Sequence, residues 1–479
     1  MDVQEVAVID RMPPMIPLSS YVLQLRGLMA DPTPPISPAA KSGGFAFMLR
    51  ALSARNYRLF FLGQGVSLIG TWLSNMAASW LVNRITDDPQ QSPRILGFVN
   101  FAALLPAFLL SPFAGVMVDR WRKHRLIVWT QAFSMLESFA LAGLAFAVAG
   151  YGSKPPPHTV SVIIGWLIAL SMFQGLVNAF DVPARQSLVV KLVDRREDLA
   201  NAIALNSSMF NAARLVGPAI AGLLIWRVGE AWCFTIDGFS YLAVIVALLM
   251  MRVDEGDRPA TRRHVWHEFR EGLSYASRFT PIRTIITLLA AVSFTNTAIT
   301  ILMPRFATEV LQGDARTQGL LTSAIAVGAL AGAVRLAARK SVVGLVGQMP
   351  WFTVMLGAGM MLFGLSTTRL LSLPGLVLVG FGTMTQMASG NTLLQTLVED
   401  RMRGRVMSLF SMAFMGMMPL GSLAAGQVAA VIGPAKTVAG AGALSILAGL
   451  AFATRVPTLR RAIRPIYIEK GILPAQAAT

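Results

Sequence analysis

The chain has 479 residues, 54% of them hydrophobic and only 14% charged, with a formal net charge of +17. A soluble globular chain carries about 25% charged residues, so charge this sparse among long apolar runs indicates a membrane protein. The basic residues sit in short clusters between those runs, without a nucleic-acid-binding motif, which excludes a nucleic-acid partner. The one cysteine, Cys233, excludes an intrachain disulfide. His124, His158, His264 and His267 have no metal-ligand spacing, so no metal or other cofactor is expected.

In chain order, residues 1–50 come first. They are rich in proline (Pro13, Pro14, Pro32, Pro34, Pro35, Pro38) and lack a sustained apolar run. The composition predicts a disordered cytoplasmic tail, not a cleavable signal peptide. Twelve apolar runs near membrane-spanning length follow. The first six are 58–82, 95–117, 125–149, 160–180, 201–226 and 231–251. The second six are 283–304, 317–338, 345–367, 373–396, 406–432 and 435–454. The predicted fold is an all-α membrane protein of two six-helix bundles, 51–251 and 283–454.

The connection 252–282 divides the runs six and six. Within it, Val265, Trp266, Phe269, Leu273 and Ala276 fall at helical spacing. Arg263, Arg270, Glu271 and Arg278 lie mainly elsewhere around the wheel. This describes either an amphipathic helix in the headgroup region or a linker packed on the cytoplasmic mouth. Residues 455–479 read as a basic, then Pro/Ala-rich, tail near the inner leaflet. Assigning both termini and the even-numbered connections to the cytoplasm gives that side a roughly four-fold excess of Lys and Arg. Both termini are therefore expected inside, at a bacterial inner membrane.

The halves repeat. Gly217, Gly222 and Gly229 in the fifth run have the spacing of Gly421, Gly426 and Gly433 in the eleventh. Upstream, Leu192-Val193-Asp194 matches Leu397-Val398-Glu399 with a one-residue slip. Two related six-helix halves suit a rocking transporter with its substrate held between them.

The second connection reads Gly115-Val-Met-Val-Asp119-Arg120-Trp-Arg122-Lys123-His124-Arg125. It resembles the loop motif of the major facilitator superfamily between helices two and three. With Asp181-Val-Pro183-Ala-Arg185-Gln186, Leu199-Ala-Asn201 and Arg214-Leu-Val-Gly217-Pro218-Ala-Ile-Ala-Gly222, the chain resembles the enterobactin exporter and macrolide and antibiotic efflux branch. The resemblance covers roughly residues 50–455. It implies that Asp119, with Arg120 and Arg122, clamps one state of the transporter, and Arg185 is the candidate partner arginine. The basic residues of this loop could equally serve positive-inside topology alone. Gly217, Pro218 and Gly222 resemble the antiporter motif of helix five, which either seals the cavity or simply packs tightly. The second-half loop, Gly332-Ala-Val-Arg335-Leu-Ala-Ala-Arg339-Lys340, has no Asp, so gating contacts should be asymmetric.

Ionisable residues inside spans are functional candidates. Glu137 and Arg214 each lie ~20 Å from the cytoplasmic face, and Asp237 lies at similar depth. Arg214 is expected to pair with one acid, leaving the other to carry a proton, with Glu137 the first choice and Asp237 the second. A static ion pair is the alternative. The resemblance implies a cavity lined by the first, fourth, seventh and tenth helices, which makes Gln64, Asn75, Gln174, Asn178, Asn296, Gln386 and Asn391 the candidate substrate contacts. It also implies that the third and sixth helices stand away from the cavity.

The function these features predict is a non-enzymatic secondary transporter exporting a small amphiphilic molecule, such as a siderophore, antibiotic or drug, by proton antiport. Its partners would be the small-molecule substrate, protons and membrane lipid, with the chain acting as a monomer. The alternatives are a lysophospholipid flippase and a non-transporting membrane sensor or scaffold. No phosphate-binding loop of the Gly-Lys-Thr/Ser kind is present, so the chain alone is not an ATP-driven pump.

Overall fold

A computed structural model describes residues 49–86, 88–151, 155–193, 195–253 and 265–474; side chains at 111, 112, 115, 116, 119, 196 and 265–269 lie outside that description. The tail predicted over 1–50 falls almost wholly outside the described residues. The long elements among the described residues are helices. In the first half they are α1 Arg55–Ile85, α2 Gln91–Arg120, α3 Lys123–Ala149, α4 Pro157–Val189, α5 Leu199–Val228 and α6 Glu230–Met250. The connecting helix α7 is Val265–Arg278. The second half comprises α8 Thr280–Arg305, α9 Ala315–Ala337, α10 Leu345–Leu365, α11 Arg369–Leu397, α12 Asp400–Ile432 and α13 Pro434–Glu469.

Among the described residues, eleven helices are long and apolar enough to cross a membrane. The long helix outside that set is α1, although it has 31 residues. Its polarity has a structural cause. Gln64, Ser67, Thr71, Ser74 and Asn75 recur at helical spacing and line a cavity, so one face of α1 does not need to be apolar.

The two halves pack in the same way. In the first, α1 lies against α5 and α6, α3 against α4 and α6, and α2 against α4. In the second, α8 lies against α12 and α13, α10 against α11 and α13, and α9 against α11. The glycine repeat has a backbone reason. Gly229 closes α5 at φ 89°, ψ 171°, and Gly433 closes α12 at φ 85°, ψ 160°. That conformation is essentially open only to glycine, and each residue starts the next helix without a loop.

The halves meet through α5 on α9 and α12 on α2. A β-carbon on Gly222 would stand 2.5 Å from the Ala315 carbonyl oxygen, and one on Gly426 would stand 2.6 Å from that of Pro93. Each half therefore sets a glycine of its fifth helix against the backbone of the other half's second helix, as close helix crossings in membranes require. Asp314 fixes the start of α9 by accepting from the Thr317 amide at 3.2 Å and Arg316 Nε at 2.8 Å. Burial would raise this carboxyl, but these donors outweigh it and hold Asp314 below the usual carboxylate range.

Three helices run more than four residues past their predicted ends. α4 continues to Val189 through Pro183, and α12 starts at Asp400. α13 continues to Glu469 through Pro457 and Pro465, so residues 455–469 extend the last helix and are not a separate tail. Leu459, Ile463 and Tyr467 recur every fourth residue and are buried in the second-half core, which holds the extension in place. α7 packs on α12 and α8. Glu271 pairs with Arg405 at 2.6 Å and Arg401 at 3.7 Å, and Ala276 is buried while Leu273 is exposed. The linker helix is therefore docked on the second half, while the side chains predicted for its apolar face at 265–269 lie outside the description.

Candidate functional site: a polar cavity within the first half

The hydrophobic core of the second half is continuous, but that of the first half is in two parts. One part gathers Leu73, Leu81, Leu141, Ile163, Ile225 and Phe234. The other gathers Tyr57, Phe60, Ile127, Leu188, Val244 and Leu248. A cavity of about 510 Å³ lies in the first half, lined by all six of its helices. Polar residues face it because their spacing puts them on one side of each helix: Gln131, Ser134 and Glu137 on α3, and Gln174, Asn178, Asp181 and Arg185 on α4. Asp237 and Tyr241 come from α6.

Asp181 is the best-satisfied acid. Arg185, one turn on, forms an ion pair with it. Thr130 Oγ1 donates to its Oδ1 at 2.6 Å, and Gln131 Nε2 donates at 2.9 Å. Asp237, only 1% exposed, receives Ser74 Oγ at 2.6 Å and Ser138 Oγ at 2.8 Å on Oδ2, and Ser240 Oγ reaches Oδ1 at 3.3 Å. Such hydroxyl donors satisfy a buried carboxylate without a cation. Gly70 lets α1 come this near, because a β-carbon there would meet Asp237 Oδ1 at 2.5 Å.

Glu137 differs. It is 8% exposed and lines the cavity. Ser138 stands beside it and is shared with Asp237, to which its hydroxyl donates at 2.8 Å. Among the described residues, no cation pairs with Glu137. Gln131 and Gln174 are also in the lining, and their Oε1 atoms are buried without a hydrogen-bond partner.

The residues predicted from sequence distribute unevenly. Gln64, Asn75, Gln174 and Asn178 line this cavity. Asn296, Gln386 and Asn391 are in the second half, away from it. Asn296 Oδ1 accepts from Thr383, and Asn391 Oδ1 accepts from Gln395. Gln386 is 1% exposed, with both ends of its amide lacking partners. Glu137 and Asp237 line the cavity directly, against the expectation that the third and sixth helices stand apart, because the cavity penetrates the first half between α1, α3, α4 and α6. The predicted ion pair of Arg214 with Glu137 or Asp237 is absent. Arg214 is half-buried on α5, a helix packed mainly on α1 and α9, and it pairs with no acid among the described residues.

Of the gating residues, Asp119 lies in the last turn of α2 with its side chain outside the description. Arg120 and Arg122 are exposed at the turn into α3. The ion-pair partner of Arg185 is Asp181. Gly217 packs on Trp72 of α1, while the Pro218 carbonyl meets Gly319 and Gly222 meets Ala315, both on α9. This motif is therefore part of the contact between the halves. Sequence reasoning passed over Asp181 and Gln131. The four-residue step from Asp181 to Arg185 was the available signal, but it counted only once α4 was known to run to Val189.

Two pseudo-symmetric six-helix halves, one of them enclosing a polar cavity, are the architecture of a major facilitator transporter. Solved structures share this fold. A bacterial homologue of the iron transporter ferroportin, in an inward-facing state, superposes with a TM-score of 0.64 at 17% identity, covering 84% of this chain and 99% of that one. A bacterial homologue of the human lysosomal transporter Spinster gives 0.58 at 15% identity, covering 88% and 98%. Residues 47–465 match the model of one family, and the chain belongs to it: the transmembrane secretion effectors of the major facilitator superfamily. Among curated relatives, the staphyloferrin A transporter of Staphylococcus aureus is 24% identical over 79% of this chain and 91% of its own length. The multidrug efflux pump Tap of Mycobacterium tuberculosis is 25% identical over 83% and 91%. The enterobactin exporter EntS of Escherichia coli is 23% identical over 85% and 92%. The chain is thus a multi-pass membrane protein of a transporter family whose relatives include exporters of siderophores and drugs.

Proposed function

We propose that the protein is a secondary transporter of the bacterial inner membrane that exports a small amphiphilic molecule by proton antiport with alternating access. α1 serves as the twelfth span, both termini face the cytoplasm, and one chain in contact with lipid is the working unit. The observation that carries this reading is the first-half cavity, where one buried acid, Asp237, is held by several hydroxyls and its neighbour Glu137 has no cation beside it. An acid so placed is suited to bind and release a proton as access alternates. Glu137 is the proton carrier and Asp237 its neighbour in the same relay. Arg214, free of an acid partner, is left available to the substrate or to a second state of the cycle.

With the termini inside, the contacts of Gly222 and Gly426 lie toward the outer face. The cavity lining reaches to Phe60 and Val189, toward the cytoplasmic helix ends. This supports an inward-facing arrangement. Opening to the outside requires α5 and α12 to leave α9 and α2, and Asp119 with Arg120 and Arg122 would then hold the inner side shut. The test is untargeted mass spectrometry of medium and cell extract with and without the gene, followed by uptake of the compound found into inverted vesicles under an imposed pH gradient. A compound that builds up inside the deleted strain, and that a gradient drives into vesicles, is the expected result. A compound moved without regard to the gradient would remove the antiport.

A further inference from the structure

We propose that the seam between the halves at the outer ends of α1, α8 and α9 is built to be held shut only weakly, because Asn83, Arg305 and Gln318 are buried in it with polar atoms that closure leaves unmatched. The inference rests on the proposed transporter reading, in which this seam opens to release the substrate. It names what sets the balance between the closed and the open seam.

Two side-chain hydrogen bonds cross the seam here. Gln318 Nε2, in the first turn of α9, donates to Ser79 Oγ of α1 at 3.1 Å. Asn83 Nδ2, one turn further along α1, donates at 3.4 Å to Thr308 Oγ1, in the turn Phe306–Val310 that follows α8. The other end of each amide has no partner: Asn83 Oδ1 and Gln318 Oε1 are buried without a donor. Arg305 lies one turn before Thr308 and pairs with Glu309, but its Nε–H is buried without an acceptor. Asn83 is 7% exposed, Arg305 6% and Gln318 4%. Two acceptors and a donor thus share this part of the seam and do not meet one another.

The sign of their effect follows from what each amide gains and loses on closure. Each gains one neutral hydrogen bond, and that of Asn83 is long. Each also strips water from a carbonyl oxygen that receives no donor in exchange. The penalty for such a buried acceptor exceeds the net gain from a typical hydrogen bond. Neither hydroxyl partner depends on the amide, since Ser79 Oγ donates to the Met76 carbonyl at 2.9 Å and Thr308 Oγ1 to the Pro304 carbonyl at 3.2 Å. Removing an amide therefore removes its penalty and leaves each hydroxyl proton bonded. The backbone contacts of Gly222 with Ala315 and of Gly319 with Pro218 close the seam, and the three polar side chains offset that closure. Two states so nearly balanced can be exchanged by a ligand of modest differential affinity.

The test uses the full chain in a Cys233→Ala background, in phosphatidylcholine nanodiscs without ligand. Spin labels are placed on Gln90→Cys and Thr367→Cys, exposed positions at the outer ends of the first and second halves. Double electron–electron resonance should give two distance populations, a shorter one for the closed seam and a longer one for the open seam. Gln318→Met and Asn83→Leu should each move the ratio toward the closed seam by about tenfold. Ser79→Ala, which removes a crossing bond but keeps the amide buried, should move it toward the open seam. Thermal unfolding of Gln318→Met and Asn83→Leu should occur no lower than in the parent, which separates a shifted balance from misfolding. An unchanged ratio in both variants overturns the proposal. A shift of both toward the open seam also overturns it, by showing that the crossing hydrogen bonds hold the seam shut. A single population throughout overturns it as well, and the vesicle uptake described above then shows whether the transporter reading stands. The expected shifts in a chain that drives no uptake would keep the weakly held seam and remove the transporter reading.

Discussion

Gly222 meets Ala315 backbone to backbone: a methyl group on the glycine would stand 2.5 Å from the alanine's carbonyl oxygen. This contact joins the halves on the face of the α5–α6 turn, and Gly426 makes its counterpart with Pro93 across the pseudo-symmetry axis. At these two glycines the seam has no room for a side chain, so the helices part there as rigid bodies.

The seam should open during transport. Gln318 of α9 donates to Ser79 Oγ of α1 across it at 3.1 Å. In a Cys233→Ala background, Ser79→Cys with Gln318→Cys should be bridged rapidly by a short bifunctional methanethiosulfonate. Vesicle uptake should fall to background and return on reduction. Undiminished transport by the bridged protein would mean that the halves do not separate there.

Glu137→Gln should retain substrate exchange while losing accumulation driven by a pH gradient. Asp237→Asn should impair both, because Ser74 and Ser138 lose their charged acceptor. Paired counterflow and gradient-driven uptake assays separate the two. Gradient-driven accumulation persisting in Glu137→Gln would transfer the proton role to Asp237 or elsewhere.

Asp119→Asn should express near normally and yet abolish transport, as a broken gate does while the fold persists. Turnover at the normal rate in this variant would reduce the loop motif to a topology signal.

Asp181→Asn leaves the Arg185 guanidinium without its anion and weakens what Thr130 and Gln131 donate to. Removing one partner of a buried pair costs about 3 kcal/mol or more. Unfolding in a detergent titration should show that loss, and Asp181→Glu should recover part of it. A stability equal to the parent's would mean that Arg185 finds another partner.

Gly229→Ala and Gly433→Ala should each destabilise by about 1–3 kcal/mol. Neither added methyl group meets an atom within 4 Å, so the cost is backbone strain alone. Similar losses are expected from both because φ is 89° at one and 85° at the other. Marked inequality between them would separate the two halves energetically.

Much of this protein was determined by sequence alone. Apolar run length marks a membrane helix because the bilayer leaves no other way to satisfy a backbone, and the predicted runs located the long helices among the described residues, eleven of which are apolar enough to cross a membrane. The glycine spacing announced the repeat because only glycine adopts the backbone of Gly229 and Gly433. The loop from Gly115 to Arg125 placed the chain in its superfamily. The span limits failed where polar residues lay inside a helix. α4 was ended before Asp181 and α13 before Leu459, since hydropathy does not distinguish a residue facing water from one facing a cavity or a core.

Only the tertiary structure decided what the buried charges do. Glu137, Arg214 and Asp237 share a depth, and depth alone permits any pairing among them. Helix packing set α6 against α1 and α3, which handed Asp237 its hydroxyl donors, and set α5 against α9, which kept Arg214 from either acid. The same packing divided the first-half core and left a cavity there, so Gln64, Asn75, Gln174 and Asn178 line it while Asn296, Gln386 and Asn391 do not. A hydrogen bond depends on which side chains converge across helices, and that convergence is a property of the assembled bundle, not of any one run of sequence.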